Sequence, residues 1–247
     1  MTGLNGHVVL VTGAAGGVGS ALVAELVHRG ATVMATDIDD HRLAEVTARH
    51  PPDSAIPVPA DLTDPSSCRG LVDRVTASRG RLDAVVNNAA LLRSGALDSF
   101  PVEAFDEMVA VNLRAPFLIS QVAFGWMADH GGGRIVNVAS VGARDGGGSL
   151  DVAAYTTVKS GLLGMTKAFA KFGAPHGILV NTVLPGGIDT AMIATARADS
   201  TRRRDDIPAG RLATPSEIAH LICWLCSHEN TYCAGAAIDV NGGRYLP

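Results

Sequence analysis

Between a short β-rich run, His7 to Val11, and a stretch with apolar residues at helical spacing, Gly17 to Arg29, the chain reads Thr12-Gly13-Ala14-Ala15-Gly16-Gly17-Val18-Gly19. Few sequence features restrict a fold so tightly. Glycines let the backbone reverse in little space and leave bare main chain open to a bulky anion. The helix that follows presents unpaired N–H groups and the positive end of its dipole. Strand, glycine turn and helix in that order predict the opening unit of a doubly wound parallel sheet. Gly13, Gly16, Gly17, Val18 and Gly19 are then the seat of a dinucleotide pyrophosphate.

The rest of the 247 residues repeats the alternation. Ala31 to Thr36, Ile56 to Pro59, Ala84 to Asn87, Arg134 to Val138, Ile178 to Val183 and Ala236 to Val240 read as strands. His41 to Arg49, Asp64 to about Ser78, Val102 to Met108, Asn112 to about Ala128 and Ala153 to Phe172 read as helices. Another helix starts at Thr214, with Pro215 in its first turn and Glu217 completing a capping box. Buried, valine-rich strands alternating with helices predict a Rossmann-type α/β fold, a parallel sheet covered on both faces. No linker or composition shift divides the chain, so one domain over 1–247 is expected. The polar, weakly patterned stretch at about 190–210 is long for a loop inside a compact domain and is expected to be a substrate lid.

Charge and composition narrow the functional classes. Twenty basic against 24 acidic residues give a formal charge of −4, with no basic stripe, so nucleic acid is not an expected partner. Arg202-Arg203-Arg204 is followed at once by Asp205-Asp206. The N-terminal residues lack a signal pattern, and the apolar run Val8 to Val11 is too short to span a bilayer. A cytoplasmic protein with reduced thiols and no membrane partner is expected. Cys223-x-x-Cys226, with His220 and His228 nearby, invites a zinc site. The motif lies on an amphipathic helix among apolar residues and no second pair at ligand spacing occurs, so no metal is expected.

Two further positions point to a cofactor and to chemistry. Asp37 ends the second strand, about 20 residues beyond the glycine turn, where a carboxylate accepts both ribose hydroxyls of NAD and repels the extra phosphate of NADP. No lysine or arginine lies between Ala14 and Gly17 to offset such a phosphate, and Asp39 and Asp40 add negative charge, so NAD is the expected cofactor. Tyr155 and Lys159 lie four apart on the long helix and therefore share a face. A free phenol, with a pKa of about 10, is a poor base at neutral pH. A nearby ammonium favours the phenolate and makes proton transfer beside a hydride donor feasible. Ser140, at the carboxyl end of the fifth strand, stands where an open parallel sheet binds ligands, and its hydroxyl can hold a carbonyl oxygen.

In this order the segments resemble the short-chain dehydrogenase/reductase family over nearly the full length. Thr12-Gly13-x-x-x-Gly17-x-Gly19 matches that family's cofactor loop, and Asp61-Leu62 resembles its adenine-contacting pair. Asn87-Asn88-Ala89-Ala90 resembles its Asn-Asn-Ala-Gly motif, with Ala90 in place of glycine and Asn88 at the cofactor. Asn112 falls where the family carries an asparagine supporting a water-linked proton relay. Ser140, Tyr155 and Lys159 match the remaining catalytic positions. Pro185-Gly186-Gly187-Ile188-Asp189-Thr190 resembles the nicotinamide-holding segment, with Ile188 and Thr190 at the carboxamide. The Ser140–Tyr155 separation of 15 residues is about two longer than the family's usual spacing, and Gly146-Gly147-Gly148 is the expected place for the excess.

The resemblance implies an NAD-dependent oxidoreductase that interconverts a secondary alcohol and a ketone. Tyr155 is then the acid/base, Ser140 holds the reacting oxygen, Lys159 binds the nicotinamide ribose and Asn112 orders the relay. A small-molecule alcohol or ketone is the expected substrate, in a pocket of Leu91, Leu92, Val141 to Asp145, Val152, Gly186-Gly187 and Met192, with Arg144 and Asp145 as polar anchors. The resemblance also implies a symmetric homo-oligomer, dimer or tetramer, through the helices holding Asn112 to Ala128 and Ala153 to Phe172. Two alternatives stand beside this reading. One is a 3-oxoacyl-carrier-protein reductase, against which Asp129-His130 and His176 occupy positions that are basic in relatives meeting an acidic carrier. The other is a non-catalytic NAD sensor that has kept the fold.

Overall fold

The computed structural model describes residues 3–190 and 207–247. The expected lid, with Met192, falls largely on residues outside those described. Seven strands form one sheet: β1 (Val8–Thr12), β2 (Thr32–Thr36), β3 (Ala55–Pro57), β4 (Ala84–Asn87), β5 (Gly133–Val138), β6 (Ile178–Pro185) and β7 (Ala237–Val240). Their order is β3-β2-β1-β4-β5-β6-β7 and every pairing is parallel. The order reverses between β1 and β4, which opens a crevice at the carboxyl ends of the strands.

Each central strand is buried on both faces, which is why its sequence is a continuous apolar run. In β1, Val9 and Val11 pack with one core cluster and Val8 and Leu10 with the other. The first cluster lies under helices α1 (Gly17–His28), α2 (Asp40–Thr47) and, last in the chain, α8 (Pro215–Cys226). The second lies under α3 (Pro65–Arg79), α5 (Ala115–Asp129) and the far end of α7 (Ala153–Gly173). A fully buried Leu or Val side chain contributes about 1.5–3 kcal/mol, so these two layers hold the strand ends in place.

Helix ends follow the sequence signals. Asp64 accepts the N–H groups of Ser66 and Ser67 at 3.0 Å each, and Gly80 ends α3 with φ 67°. Thr214 and Glu217 form the capping box of α8. α2 stops at Thr47, two residues short of the expected Arg49. Thr47 Oγ1 bonds back to the carbonyls of Leu43 and Ala44, and tighter turns carry the chain to the prolines.

The main departure is at Asn112. Instead of two separate helices, α4 (Val102–Val109) runs into α5 without a break through a π-helical turn, Ala110–Arg114. The combined 28-residue helix, with a mean hydropathy of 1.3 in its most apolar stretch, is long and apolar enough to cross a membrane. Half of that stretch is buried, and Ala115, Leu118, Ile119, Ala123 and Met127 belong to the core beneath the sheet. The sequence patterning also missed a short helix, α6 (Gly142–Asp145), just beyond β5.

Candidate active site

The glycine turn is built as a cradle that side chains would fill. Gly13 has φ +66°, and a Cβ on it would lie 2.7 Å from the Cα of Ala89. A Cβ on Gly19 would lie 2.0 Å from the carbonyl oxygen of Gly13, so α1 packs there only against bare backbone. A Cβ on Gly17 would strike the side chain of Thr190 at 2.6 Å, which puts Thr190 directly over the start of α1. Gly16 N–H donates to Gly13 O at 3.2 Å, and Val18 is half-buried against the core. Ile188 forms a parallel bridge to Ala213 beside the same segment.

A second layer holds the turn. Asn88 Nδ2 donates to the carbonyls of Thr12 (2.9 Å) and Gly13 (3.1 Å). Thr12 Oγ1 accepts from the N–H groups of Asn88 and Ala89, both at 3.1 Å. Asp37 Oδ2 accepts from Ala15 N at 2.9 Å, while Oδ1 accepts from Ile38 N and Asp39 N. Asp37 is therefore anchored at the open end of β2 beside the turn. Asp61 orders its own loop by accepting from Thr63 N and Oγ1, and Leu62 is buried behind it. These residues fit the adenosine and pyrophosphate of a dinucleotide, with backbone N–H groups at the turn and a carboxylate at the ribose end.

At the far side of the crevice, β5 and α7 bring the remaining candidates together. Lys159 is 1% exposed, and its Nζ donates to Val138 O at 2.8 Å, two residues before Ser140. The same Nζ lies 5.8 Å from the centre of the Tyr155 ring. Ser140 Oγ accepts from Gly142 N at 3.2 Å, the first residue of α6. A Cβ on Gly142 would lie 2.9 Å from Thr156 Oγ1 and 3.4 Å from Ser140 Oγ, so the strand end and the start of α7 are in near contact. Spacing alone leads one to expect the ammonium to lower the phenol. Here burial is the larger effect on both groups: it pushes Tyr155 above its ordinary value and Lys159 down to about 7.

Asn112 occupies the π-turn and is fully buried. Its Oδ1 accepts from Leu91 N at 2.9 Å and its Nδ2 donates to Leu91 O at 2.7 Å. Residue 116 is proline, so the main-chain carbonyl of Asn112 has no N–H four residues on to bond in α-helical register. π-Turns inside α-helices frequently mark functional positions.

The sequence reading passed over a buried polar ladder. Asn87, Asn137 and Thr182 are register partners on β4, β5 and β6. Asn87 Nδ2 donates to Asn137 Oδ1 (2.8 Å) and to Ser120 Oγ on α5 (3.0 Å). Asn137 Nδ2 donates to Thr166 Oγ1 on α7 (2.8 Å), which meets Thr182 Oγ1 at 2.6 Å. The ladder ties the helices bearing Asn112 and Tyr155 to the strands leading to Asn88 and Ser140. Its signal was available as a polar residue inside each of three valine-rich runs.

One expectation changes with the side chains in view. Arg144 and Asp145 point to the C-terminal segment: Arg144 Nη2 donates to Ala237 O and faces Asp239, and Asp145 accepts from Arg244. Opposite charge supplied from the end of the chain takes them from the anchoring role. Cys223 and Cys226 are core residues of α8, their thiols pushed up by burial, Cys223 to about 12. His220 faces Glu25 at 3.5 Å, and His228 Nε2 meets His7 Nε2 at 2.6 Å.

The chain is similar to known proteins along its whole length. The family described as Enoyl-(Acyl carrier protein) reductase matches residues 13–244. A 3-oxoacyl-[acyl-carrier-protein] reductase of Thermotoga maritima is 37% identical over 250 residues, 98% of this chain and 99% of the relative. An acetoacetyl-CoA reductase of an Acinetobacter strain is 34% identical over 97% of this chain and 98% of its own. A short-chain type dehydrogenase/reductase from Mycobacterium marinum superposes with a TM-score of 0.95 at 31% identity, covering 99% and 98% of the two chains. A 3-ketoacyl-(acyl-carrier-protein) reductase from Brucella melitensis complexed with NADH gives 0.92 at 31% identity over 98% and 100%.

Proposed function

The chain belongs to the short-chain dehydrogenase/reductase family, and from that premise we propose that it interconverts a secondary alcohol and a ketone with NAD as hydride carrier. The family is one of nicotinamide-dependent oxidoreductases acting on CH–OH and keto groups. The choice of NAD rests on Asp37, a carboxylate at the end of β2 with no basic residue in the adjacent turn. A bound nicotinamide supplies a ring that accepts or donates the hydride.

Gly13, Gly16, Gly17, Val18 and Gly19 would hold the pyrophosphate, and Ile188 and Thr190 would meet the nicotinamide carboxamide. Asp37 takes the ribose hydroxyls, Asp61 and Leu62 border the adenine, and Asn88 keeps the turn rigid. In oxidation, Tyr155 as phenolate would take the hydroxyl proton of the substrate, the carbinol hydride going to the ring that a bound nicotinamide would supply. Ser140 donates a hydrogen bond to the reacting oxygen. Lys159 orients the cofactor ribose and favours the phenolate. The proton on Tyr155 then passes towards solvent along a relay that Asn112 supports. Reduction follows the same path backwards. The carrying observation is that Lys159, on the same helical face as Tyr155, is tied to the strand end that leads into Ser140.

A chain of this kind is a single nucleotide-binding domain over 1–247. It assembles as a dimer or tetramer through α5 and α7, where Phe117 and Phe172 are exposed and Phe117, Phe124 and Phe169 stack edge to face. It acts in the cytoplasm on a small molecule. The test is a panel of alcohols and ketones followed at the NADH absorbance with NAD and NADP in parallel. Secondary-alcohol oxidation with NAD is the expected result, and cofactor binding without turnover across the panel would overturn it in favour of a sensor.

Reduction of 3-oxoacyl groups on a carrier is the second reading. The relatives' names favour it, as do Lys167 and Lys171, which line a groove of about 320 Å³ beside Gly235 at the end of α7. An acetoacetyl thioester in the same panel distinguishes the two.

A further inference from the structure

The segment joining Ser140 and Tyr155 holds itself with few bonds: Gly146 N donates to Gly142 O at 2.9 Å and Gly147 N to Asp145 Oδ1 at 2.8 Å, while Gly95 N reaches Asp151 O at 3.0 Å. It begins as α6, then passes through Gly146 at φ 82°, Gly147 at φ 93° and Gly148. Three consecutive glycines give the chain great conformational freedom, and ordering it costs entropy. Yet the segment is the wall nearest the chemistry. Cβ atoms on Gly142 and Gly147 would lie 2.9 and 2.8 Å from Oγ1 of Thr156, the neighbour of Tyr155.

The restraint comes from the other end of the chain. Arg244 Nε donates to Asp145 Oδ2 at 3.0 Å, and its Nη2 is 3.0 Å from the same oxygen. The guanidinium also lies against the glycine run, 3.2 Å from where a Cβ on Gly148 would stand. The preceding residue, Arg144, is held by Ala237 O at 3.0 Å and by Asp239 at 3.5 Å. The same C-terminal tail grips a second segment. Gly242 O accepts from Ala209 N at 3.0 Å, and side chains at Gly242 and Gly243 would strike Ile207 and crowd Pro208. The tail thus ties residues 144–148 to residues 207–209.

We propose that Arg244 is a positioning residue that sets substrate specificity: through Asp145 it fixes the wall between Ser140 and Tyr155 without itself touching the reacting atoms. This rests on the oxidoreductase reading, because the wall matters to substrate only if Ser140 and Tyr155 act on it. A partly exposed ion pair adds little to global stability, so loss of Arg244 acts locally and leaves the rest of the fold unchanged.

The test uses the full chain with Arg244→Ala, Asp145→Ala, both together, and the conservative Arg244→Lys. Hydrogen exchange over residues 142–152 is measured first, with no substrate needed. Each single alanine change is expected to speed exchange there about tenfold while residues 160–170 of α7 keep their protection. With the best alcohol from the panel, KM is expected to rise about five- to tenfold while kcat stays within about twofold. The affinity for NAD stays unchanged, the double alanine variant is no worse than Asp145→Ala, which also loses the acceptor of Gly147 N, and Arg244→Lys, which keeps a cation for Asp145, stays near the unmodified protein in both readouts. Unaltered exchange in Arg244→Ala overturns the clamp, and a KM in Arg244→Ala no higher than in Arg244→Lys overturns the positioning role. If the unmodified protein oxidises nothing, the oxidoreductase reading and the specificity role fall together, while the exchange rates still decide whether the clamp exists.

Discussion

The side chain of Asn112 clasps the backbone of Leu91 from both directions, accepting its N–H at 2.9 Å and donating to its carbonyl at 2.7 Å. An amide that does both jobs at once fixes the segment after β4 to the π-turn between α4 and α5. It also leaves the Asn112 main chain facing a position where Pro116 offers no α-helical donor.

Asn112→Ala leaves both Leu91 backbone groups without partners, at about 1–3 kcal/mol for each group left dry. Chemical denaturation should therefore show a loss of about 2 kcal/mol or more. Turnover should fall further than stability explains, because the relay loses its support. Asn112→Asp keeps the acceptor but sets a buried carboxylate against Leu91 O, so it should destabilise at least as much. Equal stability of the alanine variant and the unmodified protein would show that the clasp has no structural role.

Much of this was legible before any coordinates. The glycine turn, Asp37 and the Asp64 and Thr214 caps are local signals whose meaning depends on neighbours in sequence. The π-turn was not legible, because a single wider turn hardly disturbs helical periodicity and Pro116 at the start of α5 looks like an ordinary helix start. The Asn87–Asn137–Thr182 ladder was missed because it exists only across strands, in a register set by the sheet. The pairing of Arg244 with Asp145 spans 99 residues and had no local signal at all.

Tyr155→Phe should abolish turnover and leave NAD affinity within about twofold, since the phenol oxygen is the proton acceptor and not a principal cofactor contact. Burial holds the phenol above its ordinary value. Oxidation, which needs the phenolate, should therefore accelerate as pH rises through the alkaline range, and reduction, which needs the phenol, should slow. Stopped-flow rates at saturating cofactor test both limbs. A flat oxidation profile, or appreciable residual rate in the phenylalanine variant, would remove Tyr155 from its role.

The cofactor choice is testable at two adjoining positions. Ala15 is only 3% exposed, so a basic side chain there has no room, whereas Ile38 is 68% exposed beside Asp37. Asp37→Asn keeps an oxygen for the Ile38 and Asp39 N–H groups, removes the charge and gives up the acceptor of Ala15 N, and Ile38→Arg adds a phosphate partner. A charge-assisted hydrogen bond contributes about 1.5–3 kcal/mol, so the double variant should shift the kcat/KM ratio towards NADP by about tenfold or more. An unshifted ratio would mean that selection lies elsewhere.

Lys159 carries a cost that should be visible in stability. Burial lowers its pKa from 10.5 to about 7. Below pH 7 folded and unfolded chains both bind the proton, and the penalty of a buried ammonium is fully present. Between 7 and 10.5 only the unfolded chain holds it, so this group's contribution to stability improves as pH rises across that window. Lys159→Met removes the charge and keeps an apolar chain of similar length, although Val138 O loses its donor. Relative to the unmodified protein, the variant should melt highest at pH 6 and lose that advantage towards pH 9. The two pH units above 7 correspond to about 2–3 kcal/mol. At this chain length that is a relative shift in Tm of about 5 °C or more. Turnover should be lost at every pH, because methionine offers the cofactor ribose no hydrogen-bonding group in place of Lys159. A Tm difference that does not change with pH would show that Lys159 keeps an ordinary pKa in the folded protein.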